Sequence, residues 1–384
     1  MNKEKVELNF IDLFAGAGGI SCGLEQNPEF KCLLGVEISP SAIKTFAVNH
    51  PSAQTFSDDI KKLDRTKLQA LLQGKRVDLV VGGPPCQGFS TVGVGNPKDK
   101  RNNLFLEFLR IVKELAPSFV LMENVTGLLA TKNETTLQTI IQKFNLLGYR
   151  LAIKVLQTEK YGVPERRRRT IILGSRINQE VSLPAPTHNT PVTVGEVLQD
   201  IKTATGEIFN HDLKNTQIKD SLTLQRIKYI PEGKSIRYRK DEVMYFPRHL
   251  HLGLDWEKLK EGRLRQARYQ RLDRNSPAPT IMTGAHSYFH PTEDRYLSVR
   301  EAARIQCFPN HYRFIGNKCD QWLQVGNAVP PLLAKVLGKH ILYLHHLATT
   351  SINENGLKNP RTKKKFLLIM QTIDELRSKA FIYR

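Results

Sequence analysis

Apolar and polar positions in the first half of the chain fall into short strand-length runs separated by helical spacings. The strand-like runs are Leu8 to Phe14, Lys31 to Val36, Val77 to Val81, Ser118 to Met122 and Thr170 to Gly174. Each is near-continuously apolar, which suits a strand buried on both faces. Tyr149 to Thr158 alternates instead, like a half-buried strand. Between these runs, the stretch to Leu24, Leu104 to Leu115 and Leu137 to Leu147 carry apolar residues at helical spacing. Strand and helix in succession predict an open α/β sheet.

The ends of the predicted strands carry the chemistry. The first strand runs into Ala15-Gly16-Ala17-Gly18-Gly19-Ile20 and then a helix. A glycine loop between strand and helix lets a ligand approach the backbone at the helix N-terminus, although a tight turn reads the same way. Glu37 ends the next strand, about 20 residues on, where an acid can bind a ribose diol. Ser57-Asp58-Asp59-Ile60 ends a third segment. Its carboxylates suit an exocyclic adenine amine, and Asp59 equally suits a helix cap. The glycines do not follow the dehydrogenase pattern, and no phosphate-gripping lysine follows them. An adenosine cofactor without phosphates fits better, and S-adenosylmethionine is the candidate.

The run Val77 to Val81 leads into Gly82-Gly83-Pro84-Pro85-Cys86-Gln87-Gly88-Phe89-Ser90. Two glycines and two prolines stop the strand and stiffen the turn, placing Cys86 on a loop at the ligand edge of the sheet. A buried cysteine of the core needs no such loop, so Cys86 reads as a nucleophile. Thr91 to Asn103 reads as a long functional loop. Glu123 ends the strand after the cysteine strand, where it can face the same cleft or form a surface ion pair. Four arginines, Arg166 to Arg169, precede the last strand. Alternation predicts that two of them point inward, where they need anions or carbonyls as partners.

The chain has 384 residues, 40% of them hydrophobic, and a formal net charge of +20. That length allows two domains, and that charge predicts a polyanionic partner, nucleic acid ahead of membrane. The five cysteines are scattered and odd in number, which points to a reducing, cytoplasmic setting. None has zinc spacing with another cysteine or histidine, so no metal is expected. Met1 to Asn9 is too charged for a signal peptide, and no apolar run is long enough to span a bilayer.

Taken together, these segments resemble the cytosine-C5 DNA methyltransferases of bacterial restriction–modification systems. Asp12 to Gly19 is similar to the family's first motif, Glu37 and Asp59 to the second and third, and Gly82 to Ser90 to its Pro-Cys motif. Glu123-Asn124-Val125 resembles the Glu-Asn-Val motif, and Arg167 and Arg169 fall on the two arginines of Gln-x-Arg-x-Arg. Glu165 stands where the family usually has Gln. Arg295 to Pro309 and Gln324 to Pro331 resemble the ninth and tenth motifs, so the resemblance runs from about Phe10 to Pro331 in family order.

The resemblance implies a Rossmann-like sheet binding S-adenosylmethionine, with a smaller, basic target-recognition domain. It implies Cys86, Glu123, Arg167 and Arg169 as catalytic residues. The cofactor residues it implies are Phe14, Gly16, Gly18, Glu37, Asp59, Ile60, Leu104 and Asn327. The substrate would be a cytosine flipped out of double-stranded DNA, covered by the loop from Gly93 to Asp99. The expected arrangement is a monomer in the bacterial cytoplasm, with a restriction endonuclease sharing its target site. A tRNA methyltransferase of the same fold, or a non-catalytic DNA-binding regulator, is the alternative.

From Ile177 to Pro291 the strand–helix alternation is lost. Between Ser221 and Asn275 stand 14 Lys plus Arg against 7 Asp plus Glu, with aromatics among them. Arg237, Arg239, Arg263, Arg265 and Arg268 are the candidate DNA contacts. The domains expected are residues 1–176 for catalysis, 177–291 for target recognition, 292–348 for the return to the catalytic domain and 349–384 for a basic extension. Ser298 to Phe308 has a capping-box start, and Pro331 to Leu347 reads as a long helix. Thr349 to Asn359 reads as a linker and Arg361 to Arg384 as a basic terminal helix.

Overall fold

The structure, a computed structural model, describes residues 6–85, 104–178, 180–284 and 286–354. The first part contains β1 (Leu8–Leu13), α1 (Gly19–Leu24), β2 (Phe30–Val36), α2 (Pro40–Asn49), β3 (Gln54–Phe56), α3 (Arg65–Leu72) and β4 (Leu79–Gly82). There follow α4 (Leu104–Leu115), β5 (Phe119–Val125), α5 (Glu134–Leu146), β6 (Arg150–Gln157), β7 (Glu165–Arg166) and β8 (Arg168–Ser175). The remainder is α6 (Val194–Thr203), α7 (Ser221–Ile227), β9 (Ile236–Tyr238), α8 (Arg239–Tyr245), β10 (Arg263–Arg268), β11 (Ala278–Pro279), α9 (Val299–Ile305), α10 (Lys318–Asn327) and α11 (Pro331–Glu354).

Seven strands form one sheet in the order β3-β2-β1-β4-β5-β8-β6. β3, β2, β1, β4 and β5 run parallel, while β8 is antiparallel to both β5 and β6. After β1 the chain first fills one side, β2 and β3, and then returns to place β4 on the other. Strand order therefore reverses beside β1, and ligands bind beyond the strand ends at such a point.

The near-continuous apolar runs are explained by burial on both faces. Ile11, Leu13, Val80, Val120, Met122 and Ile172 pack with α3, α4 and α5. Phe10, Leu79, Val81, Phe119, Leu121, Ile171 and Leu173 pack on the opposite face with α1, α2 and α11. Leu333, Leu337, Ile341 and Leu344 give α11 one apolar stripe, which brings the chain back onto the sheet. A third apolar cluster joins α6, α9 and α10, and a fourth gathers Ile218, Ile227, Ile236, Trp256 and Leu264.

Ser298 caps α9 with the expected reciprocal bonds to Glu301. The linker expected from Thr349 is corrected at its start, because α11 continues to Glu354. Thr349 and Thr350 lie within its last turns, where their hydroxyls donate to the carbonyls of His345 and His346 one turn back. Those bonds satisfy the side chains that composition alone assigns to a linker. Residues 355–384, including the expected basic helix, lie outside the described residues. No helix among the described residues is long and apolar enough to cross a membrane.

Candidate active site

A cavity of about 760 Å³ opens at the C-terminal ends of β1, β2, β4 and β5. Its wall includes Phe14, Gly16, Glu37, Asp59, Ile60, Leu104 and Asn327, together with Glu123 and Arg169. Residues expected to hold a cofactor and residues expected to act on a base thus share one space.

The glycine loop forms the floor. Gly16 has φ of +55°, and a Cβ there would meet no atom within 4 Å. A ligand can therefore reach this backbone directly. Its N–H donates to Glu37 Oε2 at 2.9 Å, and the N–H of Ser39 donates to Oε1 at 2.8 Å. Glu37 is therefore fixed by two backbone donors at the end of β2, with its carboxylate in the wall. Phe14 follows β1 at φ of +60° and is half-buried against the cavity. Asp59 caps a short turn by accepting from the N–H of Lys61 at 3.0 Å, so the cap and the wall position coexist.

Gly18 is not among the residues that line the cavity. It starts α1 at φ of +83°, and a Cβ there would stand 2.7 Å from both His50 Nε2 and Tyr312 Oη. Its close neighbours are packed side chains beneath the loop.

At the other end, Gly83-Pro84-Pro85 leaves β4 along the cavity wall. The side-chain amide of Asn124 donates to the carbonyl of Pro84 at 3.1 Å, tying this segment to β5. Cys86 and the loop from Gly93 to Asp99 lie outside the described residues. Glu123 Oε1 stands 2.7 Å from Arg169 Nε, with the two side chains 13% and 17% exposed. A Cβ on Gly83 would come within 3.1 Å of Glu123 Oε2, so the glycine leaves that oxygen room.

The four arginines alternate as expected, with Arg166 and Arg168 exposed and Arg167 and Arg169 turned inward. Their partners differ. Arg167 is fully buried and donates to the carbonyl of Gly326 at 2.9 Å and of Ile281 at 3.5 Å. It is not among the residues that line the cavity, whereas Arg169 is. Glu165 is also fully buried, accepting from the N–H of Ile281 at 2.6 Å and lying 3.6 Å from Arg167. Burial pushes the Glu165 carboxyl above its ordinary range, with Arg167 opposing. Together they clip the end of β8 to the segment after β11 and to α10.

The five candidate DNA contacts gather on and beside the two-stranded sheet of β9 and β10, away from the cavity wall. Arg265 and Arg268 are exposed along β10. Arg239 is 69% exposed with Glu257 at 4.0 Å, Arg263 pairs with Glu261, and Arg237 is half-buried.

Two residues escaped assignment from sequence. Asn124 positions the Pro-Pro segment, and Asp12 lies in the cavity wall at 1% exposure. The signal for Asp12 was an acid in the middle of a strand otherwise buried on both faces. The wall carries six carboxylates, Asp12, Glu37, Asp58, Asp59, Glu123 and Asp320, against Lys61 and Arg169. In a chain of net charge +20, this cavity is an acidic exception. Its size, its bare glycine backbone and its acidic wall fit S-adenosylmethionine, an adenosine carrying positive charge.

The sequence profile described as C-5 cytosine-specific DNA methylase matches residues 8–343. The type II methyltransferase M1.HphI of Haemophilus parahaemolyticus is 35% identical over 347 residues, 88% of each chain. The type II methyltransferase M.DdeI of Desulfomicrobium norvegicum is 32% identical over 375 residues, covering 87% of this chain and 88% of that one. Among solved structures, an Escherichia coli prophage protein described as a DNA modification methyltransferase superposes with a TM-score of 0.70 at 26% identity. That match covers 88% of this chain and all of the other. Spodoptera frugiperda DNMT2, at 17% identity and a TM-score of 0.59 over 88% of this chain and all of that one, shares the fold. A sheet that reverses beside β1, a cavity lined by residues from both motif sets and a match over most of the length agree: the chain belongs to the C-5 cytosine-specific DNA methylase family.

Proposed function

We propose that this DNA (cytosine-5-)-methyltransferase acts on a cytosine flipped out of a specific duplex sequence, through a covalent adduct between Cys86 and carbon 6. The observation that carries the reading is the Glu123–Arg169 pair, which opens into the same cavity as the glycine loop and Glu37. Carbon 5 of cytosine is a poor nucleophile. Thiolate addition at carbon 6 makes carbon 5 enamine-like, and Pro84-Pro85 directs the chain toward Cys86 for that role. Glu123 holds the N3 and N4 edge and supplies a proton as negative charge builds on the ring. Arg169 orients Glu123 and offers positive charge to the O2 side and to the thiolate.

S-adenosylmethionine, when bound, supplies an electrophilic methyl group. Glu37 would hold its ribose, Asp59 its adenine amine and Phe14 its ring, while Gly16 leaves the backbone open. Loss of the carbon 5 proton and expulsion of the Cys86 thiolate then restore aromaticity. A base inside a duplex cannot enter such a cavity, so extrusion is part of the reaction. Residues 177–291 would read the duplex, with Arg237, Arg239, Arg263, Arg265 and Arg268 meeting phosphates or base edges. The biological role would be protection of host DNA from an endonuclease of the same specificity, by a monomer in the bacterial cytoplasm.

The test is methyl transfer from labelled S-adenosylmethionine to duplex DNA and to tRNA side by side, with the product base identified. Label in 5-methylcytosine of DNA alone supports this reading. Label in tRNA moves the substrate to RNA, and an absence of label on DNA rich in sequence variety favours a non-catalytic regulator.

A further inference from the structure

α8 is a seven-residue helix, too short to persist on its own hydrogen bonds. The chain holds it from its inner face. Asp241 accepts from the N–H groups of Arg237 at 2.9 Å and of Tyr238 at 2.8 Å, which ties down the first turn. Glu242 is buried, and a buried carboxylate needs partners. It has two, the indole N–H of Trp256 at 2.6 Å and the backbone N–H of Leu252. Phe246, next after the helix, is buried in the same cluster as Trp256. The outer face is bare. Val243 and Met244 are 61% and 71% exposed. Exposed Arg239 and Lys240 stand four residues before them, one turn away on the same face. A fixed mount thus presents two aliphatic and two cationic side chains to solvent.

The surroundings are cationic. β9 leads directly into α8, and Lys240 Nζ lies 5.6 Å from the ring centre of the exposed Tyr238. β10, paired with β9, adds the exposed Arg265 and Arg268, and exposed Arg248 follows the helix. Most nearby carboxylates are engaged elsewhere: Asp241 and Glu242 hold the helix, Glu261 pairs with Arg263 and Asp255 with Lys258. Among the described residues the acid paired with this face is Glu257, 4.0 Å from Arg239. Cations around an aliphatic centre complement a duplex groove, with phosphates at its rims and base edges between them. The major groove is about 12 Å wide and admits one helix, and thymine presents a methyl group there. We propose that α8 enters the major groove of the target duplex, and that Val243 and Met244 determine specificity by packing on thymine methyls. Arg239 and Lys240 hold the flanking phosphates. The inference deepens the duplex reading proposed for residues 177–291 and rests on it.

The probe is long DNA of mixed sequence copied with either thymidine or deoxyuridine triphosphate, which differ by that methyl. The full chain methylates each from S-adenosylmethionine, and bisulfite sequencing maps the modified cytosines. Burial of one methyl is worth about fourfold, so wild-type rates at limiting DNA should fall about fourfold on the uracil DNA for each methyl contacted. Val243→Ser with Met244→Gln removes the aliphatic contact from two exposed positions. This double variant should use both DNAs alike, and its map should lose a thymine requirement at one or more positions. Arg239→Gln with Lys240→Gln should instead weaken binding at all sequences and leave the map as it was. Equal wild-type rates on the two DNAs overturn the inference. So does a Val243→Ser, Met244→Gln variant that keeps the wild-type map and the preference for thymine DNA. A wild-type dimer that this variant dissociates in sedimentation gives the face to a second copy and overturns it as well. A wild type that methylates no duplex at all overturns the duplex reading instead.

Discussion

Glu123 and Arg169 meet diagonally across two antiparallel strands. The register sets Glu123 opposite Ile171 and Arg169 opposite Val125, yet Oε1 and Nε lie 2.7 Å apart. Diagonal neighbours on one sheet face are within reach of long side chains, and here both point to the cavity. The pair holds an acid in the same cavity wall as the segment Gly83 to Pro85. Replacing Glu123 by Gln keeps the shape and removes the acid. Single-turnover methyl transfer should fall by about 100-fold or more, the scale of general acid catalysis. Duplex affinity should hold, and an unchanged transfer rate would remove Glu123 from the proposed chemistry.

Glu37 is expected to govern cofactor affinity rather than the chemical step. Its carboxylate is held by the N–H groups of Gly16 and Ser39. Glu37→Ala loses both these bonds and the proposed ribose contact. Hydrogen bonds to charged groups contribute about 1.5–3 kcal/mol each, so the dissociation constant for S-adenosylmethionine should rise about 10- to 100-fold. Equilibrium binding beside kcat at saturating cofactor separates the two effects. A variant that loses kcat alone would contradict the placement.

The sheet, its two buried faces and most strand ends were legible because burial writes itself into apolar runs and punctuating glycines. Which inward arginine lines the cavity was not legible. Alternation sends both Arg167 and Arg169 inward, but only the fold places the carbonyls of Gly326 and Ile281 beside Arg167. Gly18 shows the same limit, since its neighbours His50 and Tyr312 come from distant parts of the sequence. Asp12 lay in plain view inside a motif, yet its orphaned oxygen exists only in three dimensions.

The Glu165–Arg167 pair makes a pH-dependent prediction. Burial raises the Glu165 carboxyl above its ordinary value of 4.5. A group raised in the folded state contributes stability that is complete below its unfolded value and is lost as pH rises through the folded one. Glu165→Gln cannot ionise and keeps an acceptor for Ile281, so it should gain on the wild type as pH rises above about 4.5. Melting temperatures of both proteins at pH 5 and pH 8 check this, and a gap that is constant with pH would contradict it. Arg167→Met should destabilise by about 3–5 kcal/mol, because a buried partner is left alone.

Duplex binding should weaken steeply with salt. Each phosphate contact adds a slope of about −0.9 in a log–log plot, so replacing Arg265 and Arg268 together by Ala should flatten it by about two. Anisotropy titrations at several salt concentrations read the slope. Unaltered slopes in the double variant would remove β10 from the DNA surface.

The central claim is a covalent step at Cys86, and fluorine at carbon 5 of cytosine tests it most directly. The final step needs loss of a proton from carbon 5, which fluorine blocks, so the adduct should persist. A long duplex copied with 5-fluoro-deoxycytidine triphosphate carries the label at every candidate site. Incubated with enzyme and S-adenosylmethionine, it should yield a denaturation-resistant complex whose cross-linked peptide maps to Cys86, absent in Cys86→Ala. A complex mapping to another residue, or an enzyme that methylates ordinary DNA yet forms no adduct with this duplex, would contradict the account.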